Sequence, residues 1–141
     1  MKPGRPPDAA KRKAILEHAR GMFTRQGFDG TGMDDLALRA GVSKATIYNH
    51  FGSKEALFEA TFGQLLQQLP EPSRLISEPQ GDLDERLRAI GSGLYRLATS
   101  PLMVDIQRML ILARDSSRPG QRSFWRQSIA PYQQAFSNLL R

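Results

Sequence analysis

The chain has 141 residues with 20 Lys+Arg against 14 Asp+Glu, a net charge of +6, 40% apolar and 8% aromatic residues, and no cysteine. The length admits one domain or two small ones, and the absence of thiols excludes disulfides, thiolate nucleophiles and Cys-based zinc or iron–sulfur sites, in keeping with a reducing cytoplasm. The longest purely apolar run, Met109 to Ala113, is far shorter than the roughly 20 residues of a membrane helix, and the charged, proline-bearing start MKPGRPPDAAKRK is no secretory signal, so a soluble cytoplasmic protein is expected.

Helix signals run the length of the chain and no strand pattern interrupts them, which predicts an all-α fold. Residues 1–7 are expected to be a flexible basic arm, and Asp8 to Phe28 reads as a first helix: Ile15, Ala19, Met22 and Phe23 recur at helical spacing, Lys11, Arg12, Lys13 and Arg20 can face water, and Gly27 is a natural stop. A short helix follows from about Met33 to Ala40, with Thr31 or Gly32 placed to cap it, Asp34 and Asp35 in its positive first turn, and Gly41 ending it. Ser43 is the expected N-cap of another short helix, Lys44 to about Phe51. From Lys54 the positions Leu57, Phe58, Phe62, Leu65, Leu66 and Leu69 describe a longer amphipathic helix stopped by Pro70 and Pro72. Asp82 with Glu85 is a capping-box start to a fifth helix, and Ser100-Pro101 opens a sixth that carries Met103, Ile106 and Met109. Residues 115–120 read as a loop, and Pro131 interrupts a last apolar stretch from Gln121 to Arg141.

Charge is unevenly placed along this plan. Residues 1–54 hold ten basic residues against five acids, a balance of +5, and all five lysines. A basic unit at one end suggests a polyanion partner, although a solvated basic face has the same composition.

The pair of short helices joined by Gly41-Val42-Ser43 fits a helix-turn-helix spanning about residues 33–52: glycine permits the left-handed turn, Val42 enters the small core and Ser43 caps the second helix. Spacing alone also fits an ordinary helical hairpin. The second helix favours a reader of DNA, because Lys44, Ala45, Thr46, Tyr48, Asn49 and His50 leave only Ile47 and Phe51 to point inward. Lys and His suit phosphates, Thr a phosphate or thymine methyl, Asn an adenine edge and the Tyr hydroxyl a backbone oxygen.

Residues 31–58, TGMDDLALRAGVSKATIYNHFGSKEALF, resemble the DNA-binding domain of TetR/AcrR-family transcriptional regulators. The matching elements are Thr31, Leu36-Ala37, Ala40-Gly41-Val42-Ser43, Thr46-Ile47-Tyr48, His50-Phe51 and Ser53-Lys54-Glu55-Ala56-Leu57. The resemblance implies a three-helix, homeodomain-like unit over residues 8–69 and a helical ligand and dimerisation domain over 70–141. It further implies a homodimer on a palindromic double-stranded operator, most simply a repressor released by a small molecule. Lys44, Ala45, Thr46 and Asn49 match positions near bases, while Thr31, Tyr48, His50 and Lys54 match positions that hold phosphates, and Ser43 is expected among the DNA-binding residues with them. Asn49 is the first candidate for operator discrimination and Lys44 the second; the lesser alternative for Tyr48 and His50 is that they only pack the domain.

Ahead of the first helix, Gly4-Arg5-Pro6 in an extended arm suits Arg5 to a narrow minor groove, or is simply a tail. In the second half, Tyr95, Met103, Met109, Phe124, Trp125, Tyr132 and Phe136 are candidates to line a pocket for an apolar or aromatic ligand, and the same spacing describes plain core. Asp105 and Asp115 are either partners of a cationic ligand or ordinary surface acids. The chain stops at Leu139-Leu140-Arg141 without a capping residue, so the second domain is expected to be truncated relative to the family. An enzyme is not expected: His18 and His50 are the only histidines, and no nucleophile-elbow, zinc-protease or phosphate-loop motif occurs. No metal or cofactor is expected either. The competing reading is a truncated helical module that heterodimerises with a full-length regulator without stable DNA binding of its own.

Overall fold

The computed structural model describes residues 7–71 and 81–112, with 130, 131, 134 and 137 beyond them. Six helices make up the continuous part: α1 Pro7–Gly30, α2 Met33–Ala40, α3 Lys44–Phe51, α4 Lys54–Leu66, α5 Leu83–Ala98 and α6 Pro101–Leu112. Among the described residues none of them is long and apolar enough to cross a membrane.

The first four helices surround one apolar centre. Ile15, Ala19, Met22 and Phe23 of α1 are buried with Leu36 of α2, Ile47 of α3 and Leu57, Phe58 and Phe62 of α4. Aromatic edges fix the packing: the Phe58 ring stands nearly perpendicular to Phe23, with centroids 5.0 Å apart, and to Phe28 at 5.6 Å. Helix α1 runs further than glycine at position 27 suggests. Gly27 takes φ 72° and kinks the helix, and one more turn continues to Gly30. Only glycine adopts that left-handed backbone without strain, so the residue turns the chain rather than ending the helix.

Caps largely follow local chemistry. Ser43 Oγ accepts from the Thr46 N–H at 3.0 Å and Ser53 Oγ from the Ala56 N–H at 3.1 Å. Asp82 and Glu85 form the full reciprocal box at the start of α5, and Ser100 Oγ receives the Met103 N–H at 3.2 Å in α6. Helix α2 differs, because its N-cap is Gly32 with no side-chain hydrogen bond. Helix α4 ends at Leu66, three residues before the expected stop, with tighter turns carrying Gln68 N–H to Leu65 O and Leu69 N–H to Leu66 O. Pro70 disfavours the helical conformation of the residue before it, which accounts for the early tightening.

The core does not stop at the end of α4. Met103, Ile106 and Met109 of α6 belong to the same apolar cluster as Ile15 and Leu57, and α6 is the helix on which α1 packs most extensively. By contrast α5 buries only Ile90 and Gly93 among its residues, leaving Leu83, Leu87 and Leu94 exposed.

Candidate nucleic-acid interface

Eight residues of α3 do two jobs that its sequence separates cleanly. Ile47 is fully buried against α1, α2 and α4, while Lys44, Ala45, Tyr48 and Asn49 are exposed. The turn that presents α3 rests on Gly41 at φ 66°, whose N–H bonds Leu38 O, and on Val42, whose N–H returns to Ala37 O at 3.0 Å and whose side chain packs on the core. This is the αL helix end that releases the chain into the next helix at a fixed angle. The N-terminus of α3, with its partial positive charge, is therefore exposed beside Lys44.

Each end of α3 carries a nitrogen-bearing side chain that already has a carboxylate partner from another helix. At the N-terminal end, Lys44 Nζ donates to Asp34 Oδ2 of α2 at 3.0 Å. That hydrogen bond and the carboxylate charge raise the lysine above its ordinary pKa. At the C-terminal end, His50 Nε2 lies 3.2 Å from Asp8 Oδ1 of α1, with the imidazole 12% exposed and the carboxylate 82%. A polar cleft lined by Asp8, Lys11, Thr46, Asn49 and His50 joins α1 to this part of α3.

The remaining expected DNA contacts divide by what holds them. Tyr48 is 39% exposed. Lys54 sits at the start of α4 with its ammonium 4.6 Å from the centre of the Phe28 ring, a cation–π contact that fixes the stem without neutralising the charge. Ser43 and Thr46 share a hydroxyl contact at 2.8 Å, so Ser43 acts on α3 as its cap. Thr31 is placed differently from the expectation of a phosphate contact. Its side chain is 1% exposed and its hydroxyl donates to Gly27 O at 2.7 Å, securing the kink of α1. Arg5 lies outside the described residues.

Two residues near this face were assigned only to solvent in the sequence. Lys11 lines the cleft beside Asn49, and the Arg12 guanidinium lies 4.6 Å from the centre of the Phe51 ring. Their spacing of three and four from Asp8 was the available signal, since it puts all three on one face of α1. The expected ligand positions are dispersed where they are described: Met103 and Met109 are buried in the core, and Tyr95 is 71% exposed. Phe124, Trp125, Tyr132 and Phe136 lie outside the described residues, as does Asp115. Asp105, considered for a cationic ligand, is paired within the chain with Arg20 at 2.7 Å.

Comparison with known proteins supplies an independent view of the same residues. Residues 15–61 match the family described as bacterial regulatory proteins, tetR family. The chain is 36% identical over 97 residues to the uncharacterized HTH-type transcriptional regulator YhgD of Bacillus subtilis, a stretch covering 68% of this chain and 51% of YhgD. The chain thus spans about half or less of the length of the curated relatives it matches. A TetR-family transcriptional regulator from Mesorhizobium loti has the same fold, with a TM-score of 0.73 over 96% of this chain and 69% of that one at 24% identity. A TetR-family transcriptional regulator from Pseudomonas syringae pv. tomato is 30% identical, with 89% of this chain and 74% of that one aligned at a TM-score of 0.59. With its buried Ile47, left-handed Gly41 turn and outward polar α3, this chain belongs to the TetR family of helix-turn-helix transcriptional regulators, a family of non-enzymatic proteins.

Proposed function

We propose that the chain binds a palindromic double-stranded operator as a homodimer and represses transcription until a small apolar or aromatic molecule releases it. The observation that carries the DNA-binding part is the outward set on α3, where Lys44, Ala45, Tyr48 and Asn49 are exposed around a buried Ile47. Ile47 and the half-buried Phe51 anchor α3 to the core, and its outer face carries the donors and acceptors that a major groove matches. In this reading Asn49 and Lys44 discriminate bases, with Ala45 and Thr46 at base edges. Tyr48, His50 and Lys54 hold phosphates, and Arg5 reaches along the minor groove. Residues 8–69 are the DNA-binding unit, and 70–141 the regulatory part.

Release has support in the way α6 packs. A ligand that displaces α6 acts on α1 directly, because α1 and α6 share a core and the Arg20–Asp105 ion pair. Tyr95, Met103, Met109, Phe124, Trp125, Tyr132 and Phe136 are the positions for such a ligand.

Selection of duplexes from a random-sequence library tests the first part. Salt-sensitive recovery of a two-fold symmetric sequence is expected, and Asn49→Ala should relax one position in each half-site by about 1–3 kcal/mol. A selected sequence that stays unchanged in Asn49→Ala removes Asn49 from base reading. No retention of any duplex at low salt would favour a heterodimerising module instead.

A further inference from the structure

The pairing at the start of α3 has a consequence for selectivity. Two adjacent acids open α2, and they are used differently. Asp35 binds Arg39 of its own helix, accepting from Nε on both carboxylate oxygens at 3.0 Å, within the positive first turn of α2. Asp34 reaches across the Gly41 turn to Lys44, ten residues on and at the first position of α3. Its side chain is 82% exposed, so the pair contributes little to stability, and its position beside the exposed face of α3 is left to be explained by what approaches that face.

We infer that Asp34 is a specificity-determining residue that restrains Lys44, holding the ammonium at 3.0 Å so that it favours neutral base acceptors over phosphate. The inference rests on the DNA-binding reading above. An ammonium carries three donors, so one bond to Asp34 leaves two for a base edge in front of α3. A phosphate brought to the same ammonium meets the Asp34 carboxylate as a like charge. Binding to arbitrary DNA depends on phosphate contacts, which every sequence offers, and the base contact exists only at a matching site. A carboxylate at this place therefore lowers the first more than the second.

The test compares the wild type, Asp34→Asn, Asp34→Glu, Lys44→Met and the Asp34→Asn/Lys44→Met double variant. Binding is measured across a salt series to a random-sequence duplex pool and to the duplex that the wild type selects from it. Asp34→Asn is expected to bind the pool about fivefold more tightly, the size of one unit charge at contact distance in water. Its salt slope should steepen by about one per reading helix, and its operator-to-pool ratio should fall. Asp34→Glu, which keeps the charge, should stay near the wild type, and the gain should disappear when Lys44 is methionine. A wild type that binds the pool while Asp34→Asn binds it identically overturns this inference and leaves DNA binding intact. An undiminished gain in the Lys44→Met background overturns the restraint on Lys44. A wild type that retains no duplex at low salt overturns the DNA-binding reading and this inference with it. A urea midpoint for Asp34→Asn equal to that of the wild type ensures that the comparison is between folded proteins.

Discussion

Arg20 on α1 donates two hydrogen bonds to a single carboxylate oxygen of Asp105 on α6, from Nη2 at 2.7 Å and Nε at 3.2 Å, across 85 positions of sequence. The two side chains are 37% and 26% exposed, so water screens the pair only partly. Replacing Asp105 by Asn keeps the shape and removes the charge. We expect a loss of roughly 1–2 kcal/mol, between the small value of an exposed pair and that of a desolvated one. The urea midpoint should fall with the slope unchanged, and an unaltered midpoint would show that the contact adds nothing.

Gly27 and Gly41 both have positive φ, 72° and 66°, yet they should respond unequally to alanine. A Cβ at Gly41 meets nothing within 4 Å, whereas one at Gly27 lies 2.9 Å from Leu112 Cβ, at the end of α6. Gly41→Ala therefore carries backbone strain alone, on the order of 1–2 kcal/mol. Gly27→Ala adds an overpacking cost of about 1–3 kcal/mol, because a Cβ rather than a flexible tip must move. Parallel melts of the two variants decide the ranking, and equal losses would contradict the close approach of α1 to α6.

On α3, fold and recognition should separate by residue. Ile47→Ala removes a fully buried side chain and is expected to cost about 2–5 kcal/mol, enough to unfold a marginal domain. Asn49→Ala, on the exposed side, should change stability by no more than about 0.5 kcal/mol. Circular dichroism melts beside duplex selection would expose any mixing of the two roles.

Thr31→Val tests the placement of a residue that its motif assigns to phosphate. With the hydroxyl gone, Gly27 O loses its 2.7 Å donor and the domain should lose about 1–2 kcal/mol. The duplex affinity of the folded variant should stay the same, since the buried hydroxyl donates to Gly27 O and not to DNA. A weaker duplex affinity in a fully folded Thr31→Val would assign Thr31 to the DNA backbone after all.

Lys44 should titrate above the ordinary lysine range, because Asp34 accepts its proton in a hydrogen bond and adds an opposite charge. A folded pKa above the unfolded one means that the interaction is fully present at neutral pH and is lost as pH rises through the folded value. NMR titration of the Lys44 side chain should move down toward the ordinary value in Asp34→Asn. An identical titration in both proteins would dissolve the pair in solution.

Local chemistry made much of this protein legible from its residues. Apolar spacing of 3.6, serine and aspartate caps, and the glycine at position 41 concern residues a few places apart, so helices α2, α3, α5 and α6 and the outward face of α3 follow from the chain itself. The family motif is legible for the same reason, since residues 31–58 carry a complete set of turn, cap and core positions in order. Tertiary structure alone decided the rest. Whether Thr31 faces a phosphate or Gly27 O, whether Lys44 and His50 are free or held by Asp34 and Asp8, and whether Asp105 awaits a ligand or binds Arg20 all depend on which helices meet. Periodicity assigns a side chain to a face of its helix but does not name the partner that covers the face. The same limit explains the core. The sequence divides after residue 69, yet Met103, Ile106 and Met109 bury themselves with Ile15 and Leu57, because apolar surface is removed from water by whichever helix lies nearest in space.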